Sequence, residues 1–126
     1  MRVPSRLVWR LRQLYKTLVA KVDGRTLAMG LVPVNRHLNL KALAGALGGK
    51  KAEMASPDEA QKTTGYVIGG ISPLAPRKRL PVVIDAGILG LERVYVSAGR
   101  RGLQIELSPA DLIAQTSART ALIAAA

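Results

Sequence analysis

Few side chains in this sequence are able to act as nucleophile, acid or base. It holds no cysteine, which excludes disulfides, thiolate metal sites and Cys nucleophiles, and a single histidine. His37 lies in the polar run Asn35-Arg36-His37, whereas a Ser-His-Asp triad needs an imidazole held by a carboxylate against a serine. That setting predicts a solvated surface histidine. Zinc needs clustered ligands, and one histidine among 8 scattered acids supplies none, so no metal and no cofactor are expected. Asp85 and Glu106 fall in strand patterns, where a carboxylate pair and separate structural salt bridges are both open readings. Gly48-Gly49-Lys50-Lys51 ends a helical pattern instead of opening one, so its cations complement a helix C-terminus and do not form a Walker-type loop.

What remains is chemistry by positioning and backbone electrostatics. Residues 65–85, GYVIGGISPLAPRKRLPVVID, are the stretch able to supply it. Gly69 and Gly70 have no β-carbon to hold a ligand away, so their N–H groups can approach an oxyanion or phosphate closely. Arg77, Lys78 and Arg79 follow, then the apolar run Leu80 to Ile84 ending on Asp85. The stretch reads as strand, exposed turn, cationic loop and buried strand. By residue type alone, an ordinary interstrand loop with a solvated basic rim is the simpler reading.

The flanking elements are legible from periodicity and caps. Thr17 to Val22 is β-branched, and Asp23-Gly24 predicts a hairpin turn into Thr26 to Val32, which Pro33 ends. Asn39 caps a helix with Leu40, Leu43, Ala44 and Leu47 on one face, stopped by Gly48-Gly49. A short strand at Lys51 to Ala55 precedes Ser56-Pro57-Asp58-Glu59, a capping box opening a helix to about Thr63. Glu92 to Ser97 reads as a strand with a turn at Ala98-Gly99. Gly102 to Leu107 alternates like a half-buried strand, with Leu103, Ile105 and Leu107 on one side. Ser108-Pro109 caps a last helix to about Gln115, and Thr120 to Ile123 reads as a closing strand. Irregular alternation with a local hairpin predicts an α/β (α+β) fold, a mixed sheet with helices packed on it.

The charge narrows the partner. With 19 Lys and Arg against 8 acids, the chain carries +11, which favours a polyanion, nucleic acid first. Its aromatics are Trp9, Tyr15, Tyr66 and Tyr95, too few for a base-stacking platform. RNA would therefore be gripped by backbone and terminus. No apolar run nears the ~20 residues that span a bilayer, so no membrane is expected, and a cysteine-free chain suits a reducing cytoplasm. Residues 1–13 carry Arg2, Arg6, Arg10 and Arg12 without an acid, and Leu7, Leu11 and Leu14 sit at helical spacing. They are expected to form a basic segment that packs on one domain spanning residues 14–126.

Read together, five collinear stretches are more specific than any one motif. LYKTLVA (14–20), LNLKALAGALGGKKAEMA (38–55), residues 65–85, RVYVSAGRRGLQIEL (93–107) and SPADL (108–112) closely resemble the YbaK-type trans-editing proteins. These are Cys-tRNA(Pro) deacylases related to the editing domain of prolyl-tRNA synthetase. The resemblance implies a mixed, barrel-like sheet flanked by helices and a cytoplasmic enzyme that clears Cys-tRNA(Pro), and with it Cys-tRNA(Cys). It implies that the substrate thiol attacks its own ester while the protein holds the pieces. Lys16 would be the essential lysine on the terminal phosphate or ribose, with Thr17 beside it in substrate binding. Gly69, Gly70 and Ile71 would present backbone donors to the scissile carbonyl, and Ser97 would bond the ribose hydroxyls. Arg77, Lys78, Arg79, Arg100 and Arg101 would track the acceptor-stem phosphates. The aminoacyl-tRNA acceptor end and prolyl-tRNA synthetase are the implied partners. Two departures stand out: only fifteen residues precede Lys16, where the family has a longer region with a pocket tyrosine, and Gln104 stands where relatives often carry an acid. The alternative they leave open is a shortened, inactive homologue that binds tRNA or the synthetase without deacylation.

Overall fold

The structure, a computed structural model, describes residues 12–126. The amphipathic pattern assigned to residues 1–13 lies almost wholly outside the described residues. Five strands form a mixed sheet in the order β4 (Ala52–Met54), β1 (Tyr15–Val22), β2 (Thr26–Pro33), β5 (Val82–Asp85) and β8 (Arg119–Ala121). β1 (Tyr15–Val22) and β2 (Thr26–Pro33) are the predicted hairpin, antiparallel from Tyr15↔Pro33 to Val22↔Thr26. Asp23 and Gly24 both take positive φ, 53° and 68°, the turn geometry that an Asp-Gly pair favours. β4 (Ala52–Met54) pairs antiparallel with the end of β1, while β5 (Val82–Asp85) and β8 (Arg119–Ala121) run parallel to β2 and β5.

Alternation along these strands buries both faces of the sheet. Tyr15, Val19, Met29, Leu31, Val82 and Ile84 pack into one core with Val94, Val96 and Leu112. Their neighbours Ala20, Val32 and Val83 pack on the other face with Leu43 and Ile123. Burying side chains of this size stabilises by about 1.5–3 kcal/mol each. Leu43 belongs to α1 (Leu40–Ala46), where Asn39 accepts from the Ala42 N–H at 3.0 Å. Ser56 caps α2 (Pro57–Thr64) and Ser108 caps α3 (Pro109–Thr116), each accepting at 3.1 Å from the N–H three residues on, with proline in the first turn.

Four elements differ from expectation. Residues 66–68 are not a strand: no partner strand lies beside them, and side chains hold the segment instead. Tyr66 donates its phenol to the Leu74 carbonyl at 2.7 Å and its N–H to Thr64 Oγ1 at 3.1 Å. Ala98-Gly99 does not turn the chain. β6 (Val94–Arg100) runs through it with a register shift between Ser97 and Arg100, and pairs with β7 (Leu103–Leu107) across Arg101-Gly102. Gly99 absorbs the irregularity at φ 103°, where an added Cβ would meet the Tyr66 ring at 2.9 Å. On β7 Leu103 and Ile105 are 49% and 41% exposed, so that strand is not half-buried. The closing strand is split: β8 joins the sheet, and β9 (Ala124–Ala125) pairs with β3 (His37–Leu38), leaving His37 exposed as expected although in a strand pair, not a loop.

The two strand carboxylates are apart in role. Asp85 accepts from the Ile123, Ala124 and Gly87 N–H groups at 3.0, 2.9 and 3.0 Å, fixing the C-terminal loop. Glu106 bonds Arg93 Nε at 2.9 Å. Burial, with the Asp85 charge adding to it, pushes the Tyr15 phenol up to about 12.

Candidate active site

A gap in the sheet edge makes the cavity. On the side away from β2, β1 pairs with β4 only over Ala20–Val22, and Leu14 touches β6 through a bridge to Tyr95. Lys16 to Leu18 therefore have no strand partner on that edge, which is also where an edge lysine discourages further pairing. Between β4 and β6 opens a cavity of about 350 Å³. Lys16, Thr17, Gly69, Ile71, Ser97 and Gln104 all line it. Residues as far apart in sequence as Lys16 and Gln104 thus share one space.

Each predicted site residue can now be placed. Lys16 is half-buried, and among the described residues its ammonium has no ion-pair partner. Thr17 is 8% exposed, and its Oγ1 is buried with no hydrogen-bond partner among the described residues. A buried hydroxyl without a partner is unusual in a folded protein and costs about 1–3 kcal/mol. Ser97 lines the cavity, and its Oγ accepts from the Gly99 N–H at 3.2 Å, two residues on in the same strand; its hydroxyl proton is still free to donate. Gly69, at φ 88°, lines the cavity and is exposed. Gly70 does not line it: its N–H donates to the Val67 carbonyl at 2.9 Å, so that amide is committed to the turn. Gly70 instead provides close packing, since a Cβ there would meet the Arg100–Arg101 backbone at 2.9–3.1 Å.

The five cations expected to follow phosphates divide into two groups. Arg77 and Arg79 donate to the Lys62 carbonyl at 3.4 Å and to Ser117 Oγ at 2.7 Å. Arg101 donates from Nε to the Ile68 carbonyl at 2.8 Å and lies over Gly69, so it clamps the glycine loop from the β6–β7 hairpin tip. The Lys78 and Arg100 side chains are exposed without such bonds. The clamp went unread in the sequence, because nothing in AGRRG says which arginine turns inward. Also unread was the apolar wall of the cavity from Val34, Met54, Ala55 and Ile68; Met54, 48% exposed at the rim, is the one signal that a short polar strand ends on an apolar lip.

The cavity therefore offers a cation, a serine and glycine backbone, with Thr17 in its wall and, among the described residues, no Cys, His, Asp or Glu in its lining. Such a set binds and polarises; it holds no group that forms an acyl-enzyme through an imidazole or thiolate. Comparison with known proteins gives the same class. The aminoacyl-tRNA editing domain profile matches residues 2–114, and the chain belongs to that family. The match thus begins at residue 2, well ahead of the five stretches that carry the resemblance. Over 111 residues the chain is 37% identical to EbsC of Enterococcus faecalis, named as an inferred Cys-tRNA(Pro)/Cys-tRNA(Cys) deacylase; that covers 88% of this chain and 68% of EbsC. It is 30% identical over 102 residues to the multifunctional Ser/Thr-tRNA deacylase ProXp-y of Escherichia coli K12, covering 78% of this chain and 61% of that one. Among solved structures, one described as a candidate trans-editing enzyme for prolyl-tRNA synthetase superposes with TM-score 0.84 at 27% identity, over 97% of this chain and 77% of that one. The mixed α/β fold is that of the editing domains. Among the described residues no helix is long and apolar enough to cross a membrane.

Proposed function

We propose that this chain removes cysteine from Cys-tRNA(Pro), and from Cys-tRNA(Cys), in trans beside prolyl-tRNA synthetase and in the cytoplasm, by letting the substrate's thiol attack its own ester. The observation that carries the reading is one cavity that groups Lys16, Thr17, Gly69 and Ser97 yet, among the described residues, is lined by no Cys, His, Asp or Glu. Its likeness to EbsC supports the cysteinyl substrate.

The sulfur bonds to the carbonyl carbon, the bond from that carbon to the ribose oxygen breaks, and the thiol proton passes to the departing oxygen. The products are tRNA with a free terminal hydroxyl and a four-membered thiolactone, which water opens to cysteine. Lys16 holds the terminal phosphate or ribose, Thr17 Oγ1 takes a substrate hydrogen bond, and Ser97 bonds the ribose. Backbone N–H groups at Gly69 and Ile71 face the carbonyl; Gly70, its amide committed, supports that loop. Holding the thiol against the carbonyl lowers the barrier by several kcal/mol, and one oxyanion donor adds about 3 more. Lys78 and Arg100 follow the acceptor-stem phosphates, with Arg77, Arg79 and Arg101 doing so only through the donors their internal bonds leave free.

The test compares Cys-tRNA(Pro) with Ser-tRNA(Pro). Cysteinyl ester should be cleaved and seryl ester left intact, because a hydroxyl is a far poorer nucleophile at neutral pH. Lys16→Ala should lose on the order of 10²-fold or more in turnover. Equal cleavage of both esters, or brisk turnover by Lys16→Ala, would remove the thiol or the lysine from the mechanism.

A further inference from the structure

Away from the cavity, a second concave surface of about 770 Å³ opens where the β1–β2 hairpin turns. Arg25, Lys50, Lys51 and Arg119 line it beside Gly48-Gly49. A neighbouring hollow of about 360 Å³ shares Arg25, Thr26 and Pro81 with it and adds Lys21, Lys78 and Arg79. Across the pair, seven cationic side chains face two carboxylates, Asp23 and Glu59. The cations outnumber the carboxylates, so the surface stays net positive. Asp23 accepts from the Lys51 and Lys50 N–H groups, both at 3.0 Å, and these bonds hold its carboxyl below the usual carboxylate range. Glu59 is paired with Lys21. Arg25, Lys50, Lys51 and Lys78 have no ion-pair partner among the described residues.

We infer that this groove holds the sugar-phosphate backbone of the acceptor-stem duplex, so that tRNA is gripped at two places along β1. The inference rests on the reading above that the chain handles aminoacyl-tRNA. Three observations favour duplex RNA over other polyanions. Among the described residues no aromatic side chain lines either hollow, so there unpaired bases have nothing to stack on and phosphate is what the surface can bind. The two sites are spaced along one strand: six residues of β1 separate Lys16 from Val22, about 20 Å. A tRNA has a short single-stranded end between its ester and its first base pair, so a duplex begins some way from the ester, as this groove does from the cavity. The path between them is basic as well, since Lys78 and Arg79 lie beside α2, whose Ala60 lines the cavity.

The experiment is a binding titration with three RNAs: deacylated tRNA(Pro), a minihelix of its acceptor stem with the ACCA end, and the ACCA tetranucleotide alone. Wild type is compared with Arg25→Ala/Lys50→Ala/Lys51→Ala. Asp23 is bonded by backbone N–H groups, so truncating these side chains keeps the hairpin bonds, and an unchanged Tm checks it. Kd for tRNA and minihelix should rise tenfold or more, and the slope of log K against log salt should fall by about two to three. The tetranucleotide should be unaffected. Unchanged affinity and slope for the duplex RNAs, or an equal loss for ACCA, would overturn the groove while leaving the deacylase reading in place. Retained tRNA affinity with lost binding to prolyl-tRNA synthetase would overturn it in favour of a protein partner. Failure of wild type to bind any of the three would end both readings.

Discussion

Leaving a hydroxyl buried without a partner costs about 1–3 kcal/mol, and Thr17, which lines the cavity, holds its Oγ1 in that position among the described residues. Stability and binding should therefore separate at this atom. Thr17→Val, nearly the same shape without the oxygen, should hold or raise stability by about 1 kcal/mol in denaturant unfolding, while KM for Cys-tRNA(Pro) rises. A parallel fall in stability would mean the hydroxyl has a structural partner and no substrate role. Tyr15 gives a second prediction at this scale. Its pKa is raised by burial, so the folded state keeps the phenol protonated; that stability is whole below the ordinary value near 10 and is lost as pH climbs through about 12. Phenolate absorbance should show a late-titrating phase, and Tyr15→Phe should remove it. The family resemblance singled out Lys16, Thr17, Gly69 and Ser97, whose residue types alone favoured plain structural readings; no pattern of spacing could have put them in one cavity. The unpaired state of Thr17 is a fact of packing, invisible to any one-dimensional reading.

At the next scale up, the β6–β7 hairpin straps the glycine loop. Arg101 bonds the Ile68 carbonyl, Gly70 packs on the Arg100–Arg101 backbone, and Gly99 meets the Tyr66 ring. Arg101 is thereby a positioning residue for the loop that lines the cavity. Arg101→Ala should lower kcat with little change in KM, and Arg101→Lys, still able to donate to Ile68, should recover part of it. Loss confined to KM and its salt dependence would return Arg101 to the phosphate track. Gly70→Ala should destabilise by about 1–3 kcal/mol, the cost of overpacking against backbone that cannot give way; an unchanged urea midpoint would contradict the strap. Caps and the Asp-Gly turn made most elements legible, because Asn39, Ser56, Ser108 and Asp23-Gly24 act within three residues of themselves. The loop at 66–68 and the long β6 were not legible, since one lacks a partner strand and the other depends on a tyrosine 33 residues away filling the space at Gly99.

For the whole molecule, a charge of +11 on 126 residues is a statement about approach, not chemistry. Deacylation at limiting tRNA should fall steeply with salt, whereas turnover at saturating tRNA should hold nearly constant. The deeper claim is that the ester is cut without a nucleophile from the protein. Mass analysis of a single turnover on Cys-tRNA(Pro) tests it most directly. The account predicts cysteine thiolactone as the first amino-acid product and a protein of unchanged mass throughout; a cysteinyl adduct on the protein, appearing and decaying with tRNA release, would contradict it.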